Sequence, residues 1–557
     1  MNRLICFLTL FFIISQALFA QESGVPRAID VSSRQTALTL DFSTHDYELI
    51  LYSFKTDETD YNRTFNFVVT GAFGASKPPV FYADRPAHRA IPTDRDRLEY
   101  QLRQADRAIV RRLLQQTGGY KPVATKTAVQ QQIGSTRQYV FSFGNAENDT
   151  TITATLVATS ARAHGYLDIA DTGKLHTARI QAHLDHFSTE AHPIATSIFG
   201  TESDVDNDGK VHFLYTSRVD SVGSSSADVH AIYSGDREYP YHNVSGIAGF
   251  YTIRSVLPQN RGGNGNMADL MYLSPTISSQ AFYQSLLAHE FQHLISCNQH
   301  VLLRNGHCEE SWLNEAMSHV CEDLIGRHTQ GGNRNLISQY RNAPHHYSLT
   351  GPAVFSTGIR GAAYLFARSL MEEFGDNVLS RLVQTANVGI ANVEHATRQP
   401  FHPIFDRHLS RLFLNGTGLN KTLNYTAPFL QNATSPKEFS ISPETPSVRL
   451  DIKPLSVAYL RLTSNQPQVT ITIYTDAEGD FRAQLIPIPR SGSIAPSPDF
   501  DGNGRVGFSD FVMFAKAYGT RSGQANFDSK FDLDGDGRVG FSDFVLFANA
   551  YGKPVSG

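Results

Sequence analysis

The chain has 557 residues, 41% of them hydrophobic, which is too long for one hydrophobic core and implies several globular domains. Lys+Arg 48 against Asp+Glu 53 gives a formal net charge of -5. That balance excludes bulk electrostatic attraction to nucleic acid or to an anionic membrane as the basis of function.

In chain order, MNRLICFLTLFFIISQALFA places Arg3 before an apolar run that closes on Ala-Leu-Phe-Ala, the layout of a secretory signal peptide spanning 1–20. Cys6 lies too early to be a lipid-attachment cysteine, and no later segment is apolar for long enough to span a bilayer. A secreted product is expected, extracellular or held at the cell surface by other means. Residues 21–160 form an N-terminal β-rich region and a propeptide candidate: LTLDF, YELILYSF and TFNFVV alternate apolar and polar residues. Within it, RDRLEYQLRQADRAIVRRLLQQ carries Leu98, Leu102, Ala108, Val110 and Leu114 at helical spacing and predicts an amphipathic linker helix with a solvated charged face. Residues 161–430 read as mixed α and β, with LHTARIQAHLDHF a helix and VHFLYTS, VHAIYS and ADLMYLS buried strands. A Pro/Ser-rich linker leads to a β-sandwich at 431–490, and a second linker leads to an internal repeat at 491–557. The fold class is therefore a multidomain α+β chain with flanking β domains.

The stretch LLAHEFQHLIS carries the chemistry. Residues four apart share one helix face, so His289 and His293 project side by side and both can bind one cation. Zinc suits two imidazoles and leaves a position for water, and Glu290 points at that water as its proton acceptor. Phe282, Leu286, Phe291, Leu294 and Ile295 give the helix a packing surface. Downstream, EESWLNEAMSHVCEDLIG is a second helical pattern with Ser311 as N-cap, and Glu315 on its flank is the candidate third ligand. Glu309 and Glu310 compete for that role but precede the helix and cap or solvate its first turn. His300, His307, His319, His345 and His346 are read as surface histidines. The three cysteines beyond the signal, Cys297, Cys308 and Cys321, cluster near the motif as a local staple, with an odd thiol left over.

The pair HEFQHLI and WLNEAMSHVCEDL resembles the hyicolysin family of secreted bacterial zinc metallopeptidases, part of the glutamate-zincin group, over about residues 195–375. GIRGAAYLFARSLMEEFGD also fits. The resemblance implies a zincin-like catalytic domain with an active-site helix. It implies one catalytic zinc on His289, His293 and Glu315, Glu290 as general base, and hydrolysis of peptide bonds in a protein or peptide substrate. Many glutamate-zincins place an acid four residues after the third ligand, where this chain has His319; Glu322 or Asp323 must then orient a ligand histidine. Tyr364 is the candidate donor to the developing oxyanion. The competing expectation is an extracellular adhesion or scaffold protein with structural metal sites and no catalysis; Glu290 discriminates, because a structural zinc needs no base.

Two segments 33 positions apart, DFDGNGRVGFSD and DLDGDGRVGFSD, follow a calcium-loop pattern. The first offers Asp499, Asp501, Asn503, the Arg505 carbonyl and Asp510. The second offers Asp532, Asp534, Asp536, the Arg538 carbonyl and Asp543. Each loop runs into a helix, a loop-helix form that resembles dockerin modules and implies two calcium ions and a cohesin-like or cell-surface partner. A third loop, DVDNDGKVHFLY, has Asp204, Asp206 and Asp208 in register, but Tyr215 stands where a carboxylate belongs; calcium there needs an oxygen from another segment.

Overall fold

The computed structural model describes residues 15–17, 23–56, 63–73, 94–121, 131–143, 149–222, 247–326, 333–351, 357–431, 433–476, 478–490, 497–521, 524, 527–533 and 538–553. Most of the signal segment, and the strand expected at VHAIYS, lie outside them.

Sixteen strands are described, all in three sheets. They are β1 (Ser15–Ala17), β2 (Arg27–Ile29), β3 (Gln35–Asp41), β4 (His45–Ser53), β5 (Phe65–Gly71), β6 (Thr136–Phe141), β7 (Thr150–Thr159) and β8 (Ala163–Asp168). After them come β9 (Val211–Tyr215), β10 (Gly249–Tyr251), β11 (Leu270–Leu273), β12 (Glu438–Ile441), β13 (Ser447–Ile452), β14 (Val457–Leu462), β15 (Gln468–Thr475) and β16 (Phe481–Pro489).

The β segments at 21–85 and 431–490, read above as separate units, form one sandwich. One sheet runs β1-β3-β15-β5-β13 and the other β12-β14-β4-β16-β2. Strand β4 lies between β14 and β16, antiparallel to both, so the first and last parts of the sandwich interleave strand by strand. Its sequence shows why it sits at the centre. Side chains alternate across a strand, and β4 is apolar on both faces. Leu49 and Leu51 pack inside the sandwich with Leu460, Ile471 and Leu485, while Ile50 and Tyr52 enter the core of the neighbouring α/β unit.

That unit is built on a six-stranded sheet ordered β10-β11-β9-β8-β7-β6, in which β8, β9 and β11 run parallel. Strands β6 and β7 fall before residue 160, so the N-terminal region contributes strands to both bodies. The helices are α1 (Asp94–Thr117), α2 (Thr177–His186), α3 (His192–Phe199), α4 (Arg218–Ser221), α5 (Gln280–Cys297), α6 (Ser311–Leu324) and α7 (Asn333–Asn342). They continue as α8 (Thr357–Phe374), α9 (Asn377–Val383), α10 (Gly389–Thr397), α11 (Phe401–Leu414), α12 (Phe508–Ala517) and α13 (Phe541–Ala550). Ser279 caps α5 through its hydroxyl, which accepts from Phe282 N (3.2 Å). Helix α8 seats closely on α7 because Gly361 has no Cβ; one placed there would stand 2.1 Å from Leu336 O. The sandwich is locked onto α11 by Tyr52 donating to Asp406 and by Ser410 donating to Gln484 Oε1 (2.7 Å).

The C-terminal repeat folds as two loop-helix halves around small cores, with Phe500 stacked on Phe514 and Phe547. Antiparallel backbone bonds tie the halves, Gly519 N donating to Val539 O (2.8 Å) and Gly552 N to Val506 O (2.8 Å).

Because β3, β4 and β5 pair with strands from the other end of the chain, a single proteolytic cut between residues 74 and 93 is expected to leave both pieces in one particle on size-exclusion chromatography. Separation of the pieces without denaturant would contradict the interleaved sandwich.

Candidate metal centre

Helices α5 and α6 pack against each other and bring the sequence-predicted ligands together. His289 and His293 lie one turn apart, their rings 4.9 Å between centroids and nearly perpendicular. From α6, Glu315 Oε2 stands 3.3 Å from His289 Nε2, and Glu315 Oε1 stands 3.5 Å from His293 Nε2. Three donors around a tetrahedral ion at about 2.0–2.1 Å stand roughly 3.3–3.4 Å from one another, so the spacing fits zinc. All three side chains are buried.

Glu322, one of the two residues expected to orient a ligand histidine, does so. Its Oε1 accepts from His289 Nδ1 (2.9 Å) and His319 Nδ1 (2.8 Å), and its Oε2 accepts from Ser285 Oγ (2.5 Å). Fixing the His289 proton on Nδ1 leaves Nε2 as a bare ligand. Asp323, the other candidate, is turned away to Tyr364 and Asn333. Burial pushes Glu322 toward the neutral form, but His319 and His289 outweigh it and hold its pKa at about 2. Burial likewise presses His289 toward neutrality, and Glu315 and Glu322 reverse this to about 10. For Glu315, burial is again the largest influence, but Arg360 and the two histidines hold its pKa well below the carboxylate range. The two carboxylates thus surround the histidine pair with negative charge, an environment that favours a bound cation.

Glu290 lines a cavity of about 120 Å³ together with His289, Glu315, His319 and Arg360. Leu102, Ile247, Phe250, Phe282 and Leu286 form its apolar side. Helix α1 contributes Leu102 and Arg103 to the cavity wall, and its next residues line a smaller pocket beside His293. Arg103 donates to Tyr251 O (3.2 Å), Arg107 to Glu309 O (3.3 Å), and Asp106 accepts from Thr252 Oγ1 (2.6 Å). The charges on α1 expected to be solvated thus include three that bond to other segments of the chain. A periodic stripe shows which face is apolar but not what the polar face meets.

Tyr364 is fully buried and donates to Asp323 Oδ2 (2.6 Å), and it is not among the residues that line the cavity; its helix stripe put it in the core. Of the histidines read as surface residues, His300, His319 and His345 are buried. Glu309 is buried too, accepting from Gly389 N (2.7 Å) and Asn392 Nδ2 (2.6 Å), and burial lifts its pKa to about 8. Helix α6 begins at Ser311, so Glu310 is the N-cap residue. Cys297, Cys308 and Cys321 are free thiols, and burial raises the Cys308 pKa to about 12, which disfavours a competing thiolate.

In the first acidic loop, carboxylate oxygens of Asp499, Asp501 and Asp510 lie within 4.8 Å of one another; Asn503 N and Gly504 N donate to Asp499, and Arg505 N to Asn503 Oδ1. In the second, Asp532, Arg538 and Asp543 are described and Asp534 and Asp536 lie outside the described residues. In the third, the segment that supplies a carboxylate is β11 and its approach: Asp269 joins Asp204 and Asp206 within 4.8 Å. Asp269 was not legible because its place follows from strand pairing. Arg137 Nη1 also stands 3.3 Å from Asp206 Oδ2, so a fixed cation already faces that loop, while Asp208 pairs with His212 (2.7 Å).

No protein-family model matches the chain. It is similar to the neutral metalloprotease ShpI of Staphylococcus hyicus, 24% identical over 238 residues, which cover 41% of this chain and 49% of that protein. The chain thus spans about half the length of the curated relative it matches. The similarity supports a metalloprotease at most. Among the described residues, no helix is long and apolar enough to cross a membrane.

Replacing Glu322 with Gln is expected to weaken zinc binding roughly 10- to 100-fold, the usual cost of losing a ligand's supporting carboxylate. Competition titration against a chromophoric chelator measures this; unchanged affinity would show that Glu322 does not support the metal.

Proposed function

We propose that the protein is a secreted zinc-dependent endopeptidase with a zincin-like catalytic domain. The observation that carries this reading is a base beside a three-donor site: Glu290 shares the cavity wall with His289 and Glu315. A scaffold protein with a structural metal would need the donors but not that carboxylate. A zinc ion held by His289, His293 and Glu315 supplies Lewis-acid activation of water and of the scissile carbonyl. Glu290 accepts the proton of the attacking water and passes it to the departing amine. The apolar wall of Leu102, Ile247, Phe250, Phe282 and Leu286 favours an apolar side chain next to the scissile bond.

Cleavage of denatured casein by the purified chain and by its Glu290→Gln variant, with zinc measured on both, tests the reading. Turnover is expected to fall by at least about 10²-fold while zinc is retained. An active Glu290→Gln protein would contradict it, as would a zinc-loaded parent that cleaves nothing.

The C-terminal repeat is proposed to be a dockerin-like module holding two calcium ions and attaching the enzyme to a cohesin-like or cell-surface partner. So small a unit buries too little surface to be stable without a staple, and the acidic loops supply the donors. A calcium ion at the Asp204, Asp206 and Asp208 loop is proposed with Asp269 as the additional oxygen. Limited proteolysis of the intact chain with calcium and with EGTA is expected to show cleavage within 497–553 only in EGTA. Identical digestion patterns would count against bound calcium there.

A further inference from the structure

We propose that Arg360 is a catalytic residue of this site, donating hydrogen bonds to the carbonyl oxygen of the scissile peptide as that oxygen becomes an anion. The inference rests on the peptidase reading above and adds to it the donor that Tyr364 does not supply.

Arg360 Nη1 stands 3.4 Å from Glu315 Oε2, the same oxygen that lies 3.3 Å from His289 Nε2. The guanidinium is therefore one contact away from the point on which the proposed zinc ligands converge. Its side chain is 17% exposed against 3% for Glu315, so it reaches the open part of the cavity while the ligand lies behind it. Several other side-chain donors of the wall have partners of their own. Ser285 Oγ and the Nδ1 atoms of His289 and His319 all serve Glu322. Arg103 reaches Tyr251 O, and Tyr364 donates to Asp323. Two arginines line the cavity: Arg103 reaches Tyr251 O, and Arg360 is the one paired with a ligand carboxylate.

The chemistry suits the role. Guanidinium keeps its proton at any working pH and presents five N–H groups in a planar fork, so it can serve Glu315 and an incoming oxygen together. A bond to an anion is about twice as strong as one to a neutral carbonyl, so the contact strengthens as the reaction proceeds, which is what lowers a barrier. Its placement is built into the helix: the neighbouring Gly361 allows α8 to seat against Leu336, at the depth from which position 360 reaches the cavity.

The test compares the parent with Arg360→Ala and Arg360→Lys by steady-state cleavage of a fluorogenic peptide, zinc content and affinity for a phosphonamidate peptide, whose tetrahedral anion imitates the transition state. For Arg360→Ala, kcat is expected to fall on the order of 10²- to 10³-fold with KM within about threefold. Zinc content stays at parental level, phosphonamidate affinity falls in parallel with kcat/KM, and Arg360→Lys recovers part of the loss. Retained kcat in zinc-loaded Arg360→Ala overturns the proposal. So does zinc loss from both variants, which would make Arg360 a support for Glu315. A zinc-loaded parent that neither cleaves the peptide nor binds the phosphonamidate sinks the peptidase reading itself and takes this inference with it. That outcome is visible before any variant is compared.

Discussion

The Glu322 carboxylate lies between two packed helices and answers three hydrogen-bond donors at once: Ser285 and His289 from α5, and His319 from α6. A buried carboxylate is costly unless its lone pairs are satisfied, and here the donors come from both helices. The pairing of α5 with α6 and the orientation of the His289 ring are thus one event. Once Glu322 is fixed, His289 Nε2 faces Glu315, and His293 follows one turn along the same helix. Glu322 lies seven residues after Glu315 on the same helix, two turns along.

Around that pair the chain is organised by long-range pairing. The α/β unit is inserted into a sandwich whose strands come from both ends of the chain, and β4 is buried on both faces because it serves two cores. The N-terminal region contributes strands to each body and, through α1, a wall of the cleft.

What could be read in the sequence was local. The spacing of His289, Glu290 and His293 defines a helix face within two turns, and the acidic loops define themselves within twelve residues. Glu315 falls on the flank of a second helical stripe, and Glu322 is one of two carboxylates that follow it on that helix. The missed features depend on partners distant in sequence. Pairing of β4 with β14 and β16 has no local signature, because an alternating strand does not encode which strand it joins. Asp269 approaches the Asp204 loop only through the sheet, and Tyr364 was misplaced because a core tyrosine and a cleft tyrosine share the same periodicity. Burial of His319 followed from a carboxylate three residues away on its own helix, a spacing the sequence does show.

The central claim is that this site binds zinc through two imidazoles and one carboxylate. X-ray absorption at the zinc K-edge on the purified protein tests it most directly, because free cysteines lie close by and their sulfur is easily distinguished. The account predicts a first shell of nitrogen and oxygen only, at about 2.0–2.1 Å, with the outer-shell pattern of two imidazoles. A sulfur shell near about 2.3 Å, or protein that takes up no zinc, would contradict it.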